Sequence, residues 1–130
     1  MLENAEFLAM GVVVYRNAFK DSAEYIQRIE SALGSEENTK YGWKPGYTGY
    51  GAKNLNYRDC VDFKIKYNQD GSLSAHMDCV QKDDLTDIDR DLIRIWEDAY
   101  YAQLGPVDDY RNMFGLAPLK YWESFNFIKY

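Results

Sequence analysis

Leu119-Lys120-Tyr121-Trp122-Glu123-Ser124-Phe125-Asn126-Phe127-Ile128-Lys129-Tyr130 is the stretch whose reading decides the fold. Its aromatic and β-branched content reads as a strand at 121–130. A strand must be paired or covered, because its backbone N–H and C=O groups otherwise stand open. Two expectations follow: the strand lies inside a sheet built from earlier segments, or the chain is the front part of something longer.

Upstream of that strand lies the strongest helical signal. Leu85, Ile88, Leu92, Ile95, Ala99 and Ala102 recur at steps of three and four, and Ile93, Trp96 and Tyr100 widen the stripe. Thr86 or Asp84 is placed to cap it, and Gly105-Pro106 to end it, predicting a helix over 86–104. Val107 to Phe114 reads as a short further helix, stopped by Gly115 and Pro118. Before the long helix, Val61, Phe63, Ile65 and Tyr67 alternate with Asp62, Lys64 and Lys66, a half-buried strand. Asp70-Gly71 is a tight-turn signal, so residues 72–80 are expected to return as one strand. Nearer the start, Val12-Val13-Val14-Tyr15 reads as a mostly buried opening strand. Asp21 with Glu24 suggests a capping box, and Ile26, Ile29 and Leu33 share one face, so a helix is predicted over 21–33.

The fold class implied is α+β: one domain over 1–130, with two main helices packed on a mainly antiparallel sheet. Hydrophobic residues are 46% and charged residues 28% of the chain, as in ordinary globular proteins. The net charge of −6 argues against a nucleic-acid backbone binder. No apolar run reaches the roughly 18 residues that a bilayer span requires. Met1 to Met10 carries Glu3 and Glu6 and does not read as an export signal, so a cytoplasmic setting is expected, with Cys60 and Cys79 as buried thiols.

The chemistry-bearing residues are sparse. His76 is the only histidine. It reads as a surface or turn residue ahead of a catalytic base, so a hydrolase built on it stands third among the readings. Asp83, Asp84, Asp87, Asp89 and Asp91 lack the spacing of a calcium loop and read as a solvated helix start. Residues 41–51 hold four glycines and four aromatics. Tyrosines such as Tyr47, Tyr50 and Tyr57 suit recognition, and packing over the core is the competing role. Arg58 follows, placed to pin a carboxylate from a substrate or from a nearby aspartate.

Arg58-Asp59-Cys60, leading from a variable loop into a strand, resembles an Arg-x-Ser-like motif. Glu123-Ser124-Phe125-Asn126-Phe127-Ile128-Lys129-Tyr130 resembles a strand with a glutamate, alternating apolar residues and a terminal tyrosine. With the order of elements, these segments resemble the N-terminal part of prolyl 4-hydroxylase-type iron(II)/2-oxoglutarate oxygenases, especially the small bacteriophage versions. The resemblance implies the N-terminal support region of a double-stranded β-helix, with Tyr130 toward the cosubstrate. It implies Arg58, Tyr47, Tyr50 and Tyr57 toward a protein or peptide substrate. The His-x-Asp motif, the distal histidine and the basic cosubstrate-binding residue would lie beyond Tyr130. No catalytic residue or metal ligand is then expected in this chain, while iron(II) and 2-oxoglutarate belong to the complete enzyme. The expected partner is a C-terminal complement, or a second copy through the edge strand 121–130, with neither nucleic acid nor membrane involved. The alternative is a stand-alone protein-binding module that presents the Tyr/Gly-rich loop 41–57.

Overall fold

A computed structural model describes residues 1–34, 41–45, 60–76 and 78–130. Its elements run β1 (Ala5–Ala9), β2 (Val12–Tyr15), α1 (Ser22–Gly34), β3 (Lys44–Pro45), β4 (Val61–Tyr67), β5 (Leu73–Ala75), β6 (Asp78–Val80), α2 (Asp87–Phe114) and β7 (Phe125–Lys129). The architecture is α+β, with two helices and antiparallel strand pairing.

β4 is the hub. Val61 pairs with both Pro45 and Lys129, and Ile65 pairs with both Ala75 and Phe125. One flank of β4 is therefore shared by β3 and β5, and the opposite flank is taken by β7. The expected alternation holds on the core face, where Phe63 and Ile65 are fully covered. Ile29 and Leu33 of α1 and Leu92, Ile95 and Trp96 of α2 pack against that face. Trp96 stacks on Phe125 of β7 at 5.4 Å and on Tyr100 at 5.1 Å.

The Asp70-Gly71 turn forms as the sequence predicts. Asn68 N–H donates to the Ser72 carbonyl at 2.9 Å, and Asp70 accepts from the Ser72 hydroxyl at 2.6 Å. Gly71 takes φ +85°, where a Cβ would stand 2.9 Å from the Lys82 side chain. The return over 72–80 is two short strands rather than one. His76 adopts φ 51° and Ala75 pairs with Asp78, so the chain doubles back there. The weak β-propensity of Ser74-Ala75-His76 offers little resistance to that bend.

Four other expectations are corrected. First, α2 does not stop at Gly105-Pro106 but continues through Pro106 to Phe114. It stops at Gly115, which has a left-handed φ of 64° and whose N–H donates to the Arg111 carbonyl. The turns beyond Pro106 carry Asp109 and Tyr110, which bond the β1–β2 hairpin. Second, Val12–Tyr15 is not a buried opening strand. It pairs with Ala5–Ala9 in a separate hairpin, with Val12 49% and Phe7 53% exposed. Third, Asp21 has φ 55° instead of the extended backbone of a capping residue. The last strand also begins later than expected, at Phe125.

Candidate functional site

Asp89 shows how local sequence builds the middle of the molecule. Thr86 caps α2, and Asp89 closes the capping box by accepting from the Thr86 N–H at 2.7 Å. The Tyr41 hydroxyl donates to the same carboxylate. Burial, and then the Asp89 carboxylate, push the Tyr41 hydroxyl well above its ordinary pKa. Asp89 is thus a buried tie between residue 41 and α2, not part of a solvated acidic surface. Asp87 and Asp91 do face solvent and pair with Arg90 and Arg94.

Of the sequence-predicted site residues, Tyr130 alone lies among the described residues. Tyr130 follows the end of β7 and is 91% exposed. Arg58, Tyr47, Tyr50 and Tyr57 lie outside the described residues. Of the Tyr/Gly loop, Tyr41 is buried and Trp43 half-buried against the core. His76 occupies the turn after β5, its ring edge-on to Phe63 at 4.9 Å. Burial lowers its pKa, against the opposing pull of the Gly42 backbone and Asp62. Cys60 is buried as expected, whereas Cys79 is exposed, on the face of β6 opposite the buried Val80.

Iron would need several His, Cys, Asp or Glu side chains converging on one point. Among the described residues no group of three such side chains is placed to hold a metal ion. The residues described here do not fit iron, and no step of oxygen chemistry follows from them.

The structure instead presents an apolar groove of about 610 Å³ between α1 and β7. Phe19, Tyr25, Ile26, Phe127 and Ile128 line it. Tyr25 forms its floor: the hydroxyl donates to the Ile95 carbonyl at 2.9 Å, and the ring meets Phe19 at 5.7 Å and Phe127 at 6.5 Å. Burial pushes the Tyr25 hydroxyl up to about 12, with Asp98 adding to the shift. Lys129 and Glu30 form an ion pair at 3.0 Å on the rim. Ile26 falls on the same helix face as Ile29 and Leu33 by sequence spacing, yet it is 59% exposed. Phe19, just before the helix, was the available signal for this groove.

A second apolar surface lies where the β1–β2 hairpin meets the end of α2. Leu8, Met10 and Leu116 are at least half exposed there. The hairpin is held through Asp109, which accepts from Leu2 N–H at 2.9 Å and from the Tyr15 hydroxyl at 3.0 Å. The Tyr110 hydroxyl donates to the Gly11 carbonyl at 2.7 Å. Among the described residues no helix is long and apolar enough to cross a membrane.

Compared with protein-family models, curated proteins and solved structures, the chain matches none.

Proposed function

We propose that this chain is the supporting, substrate-facing portion of an iron(II)/2-oxoglutarate-dependent hydroxylase. Its metal-bearing part would be supplied by polypeptide outside these 130 residues. The observation that supports this most is the position of β7. The strand carrying the Glu123–Tyr130 resemblance is the outer strand on its flank of β4, with no further strand beside it among the described residues. α2 buttresses it from within through the Trp96–Phe125 stack. A sheet continued from this edge would place Tyr130 at the border between the two parts. Tyr130, Arg58, Tyr47, Tyr50 and Tyr57 keep the roles that the resemblance gives them, with peptidyl proline as the implied substrate class.

The test is the reading frame past codon 130. The chain extended by a segment bearing His-x-Asp should release succinate from 2-oxoglutarate in the presence of iron(II), and the 130-residue chain should not. Turnover by the 130-residue chain alone, or no such segment in this or a neighbouring frame, would overturn the proposal. The exposed apolar side of the hairpin favours a second reading, a cytoplasmic protein-binding module. In that reading the hairpin adds a contact surface to the Tyr/Gly-rich loop 41–57, of which Tyr41 and Trp43 pack on the core and residues 46–57 lie outside the described residues.

A further inference from the structure

His76 is the only histidine of the chain, and histidine is the side chain whose ordinary titration falls in the physiological range. The fold sets it at a bend. It adopts φ 51°, a left-handed backbone that most side chains resist, and it carries the reversal from β5 to β6, where Ala75 pairs with Asp78. Two contacts hold this bend to the body. The His76 N–H donates to the Lys64 carbonyl of β4 at 2.9 Å. The ring meets Phe63 edge-on at 4.9 Å, and Phe63 is among the most deeply buried side chains.

The ring itself is poorly satisfied. Its Nε2 is buried and finds no hydrogen-bond partner among the described residues. In the imidazolium both nitrogens are donors. A second proton therefore creates a charged, buried N–H that lacks an acceptor, which is far costlier than burying the neutral ring. The surrounding groups do not offset this. Asp62 of β4 and the Gly42 backbone favour the charged ring, Lys44 of β3 and Lys64 of β4 oppose it, and burial decides the balance against charge. Asp78 of β6 is exposed. Tyr41, which meets Phe63 at 6.4 Å, gives its hydroxyl to Asp89 of α2.

The bend also has somewhere to go. It lies at the β6 end of the strand order β3-β4-β5-β6, where Asp78 and Cys79 are exposed, so it can move without disturbing the pairing of β4 with β7.

We propose that His76 is a pH-sensitive latch: neutral, it pins the β5–β6 bend to Phe63, and protonated, it leaves the core and releases the bend while β4 and β7 stay paired. This goes beyond the hydroxylase reading and does not rest on it. A histidine whose folded pKa is depressed supports the closed form fully above its unfolded value of about 6.5. That support is lost as pH falls through the folded value.

Proton NMR of the full chain between about pH 8 and pH 5 tests the proposal. The single histidine gives one pair of ring C–H signals. They should titrate with a midpoint below the ordinary histidine value, and their nuclear Overhauser contacts with the Phe63 ring should vanish on the acid side. Amide exchange at residues 76 and 78–80, corrected for its intrinsic pH dependence, should accelerate about tenfold or more across the same step. Residues of β4 bonded to β7 should stay protected. His76→Asn removes the titrating ring and keeps a residue that accepts a left-handed backbone, so exchange at these positions should then be flat with pH. Three results would each overturn the proposal: a ring that titrates at the ordinary value, contacts with Phe63 that persist in acid, or an exchange step that H76N retains. The first two are read on the unaltered chain and decide the matter even where the variant does not fold.

Discussion

The β4-centred body and the β1–β2 hairpin are built from similar residues and held by different forces. The body closes around Phe63, Ile65, Leu73 and Leu92, each essentially without contact with water. The hairpin has comparable apolar content but leaves Phe7, Leu8, Met10 and Val12 largely in solvent. Its attachment to α2 is mainly polar, through Asp109 and Tyr110, with one tilted ring contact between Phe7 and Phe114 at 5.9 Å. An isolated two-stranded hairpin is marginal in water. Apolar sequence therefore does not by itself make a core; it needs a second layer, which α1 and α2 supply to β4 and the hairpin lacks.

This contrast is open to direct attack. The largest effect is expected from Phe63→Ala, which empties the centre of the body. It should lower global stability by about 3–5 kcal/mol, read from urea denaturation followed by tryptophan fluorescence. A smaller change would mean that the centre lies elsewhere. Asp89→Ala comes next, removing the α2 cap partner together with the carboxylate to which the Tyr41 hydroxyl donates. The same denaturation experiment should show a loss of roughly 2–4 kcal/mol.

The smallest global effect belongs to Asp109→Asn. Amide exchange at residues 5–15 should accelerate while β4 stays protected. Equal acceleration in β4 would show that hairpin and body are one cooperative unit. Acid should imitate this substitution. Burial tends to raise the Asp109 pKa, but Leu2 N–H, the Tyr15 hydroxyl and the amino terminus together hold it below its ordinary value. A carboxylate depressed in the folded state stabilises fully above its unfolded pKa. That contribution fades as pH falls through the folded value, so hairpin protection should weaken ahead of that of β4 on acidification.

The body was legible in the sequence because its signals are local. Val61 to Tyr67 alternates over a full strand, Asp70-Gly71 marks the turn, and the α2 stripe begins at a Thr86 cap. Of the hairpin only the strand Val12–Tyr15 was legible, since β1 carries no clean alternation and the support comes from residues of α2 almost the whole chain away. The same distance hid the continuation of α2. Pro106 is a local stop signal, and the helix runs through it into turns whose Asp109 and Tyr110 bond the hairpin. The candidate groove was legible only in fragments. Ile26 reads as sharing a face with Ile29 and Leu33, and only the packing of α1 against β7 reveals that it shares a wall with Phe19. Tyr41 and Trp43 are of the same type as the other loop aromatics, and only the structure shows that these two pack on the core.

The double occupancy of β4 has a kinetic consequence. β3 and β5 reach one flank early in the chain, but β7 reaches the other only after β5, β6 and the whole of α2 have been laid down. Non-local pairing of this kind is slow to form. During that interval a nascent or refolding chain exposes a bare strand flank beside an unfinished core, the state most open to pairing with the wrong neighbour. Aggregation during refolding should therefore depend on how quickly β7 arrives.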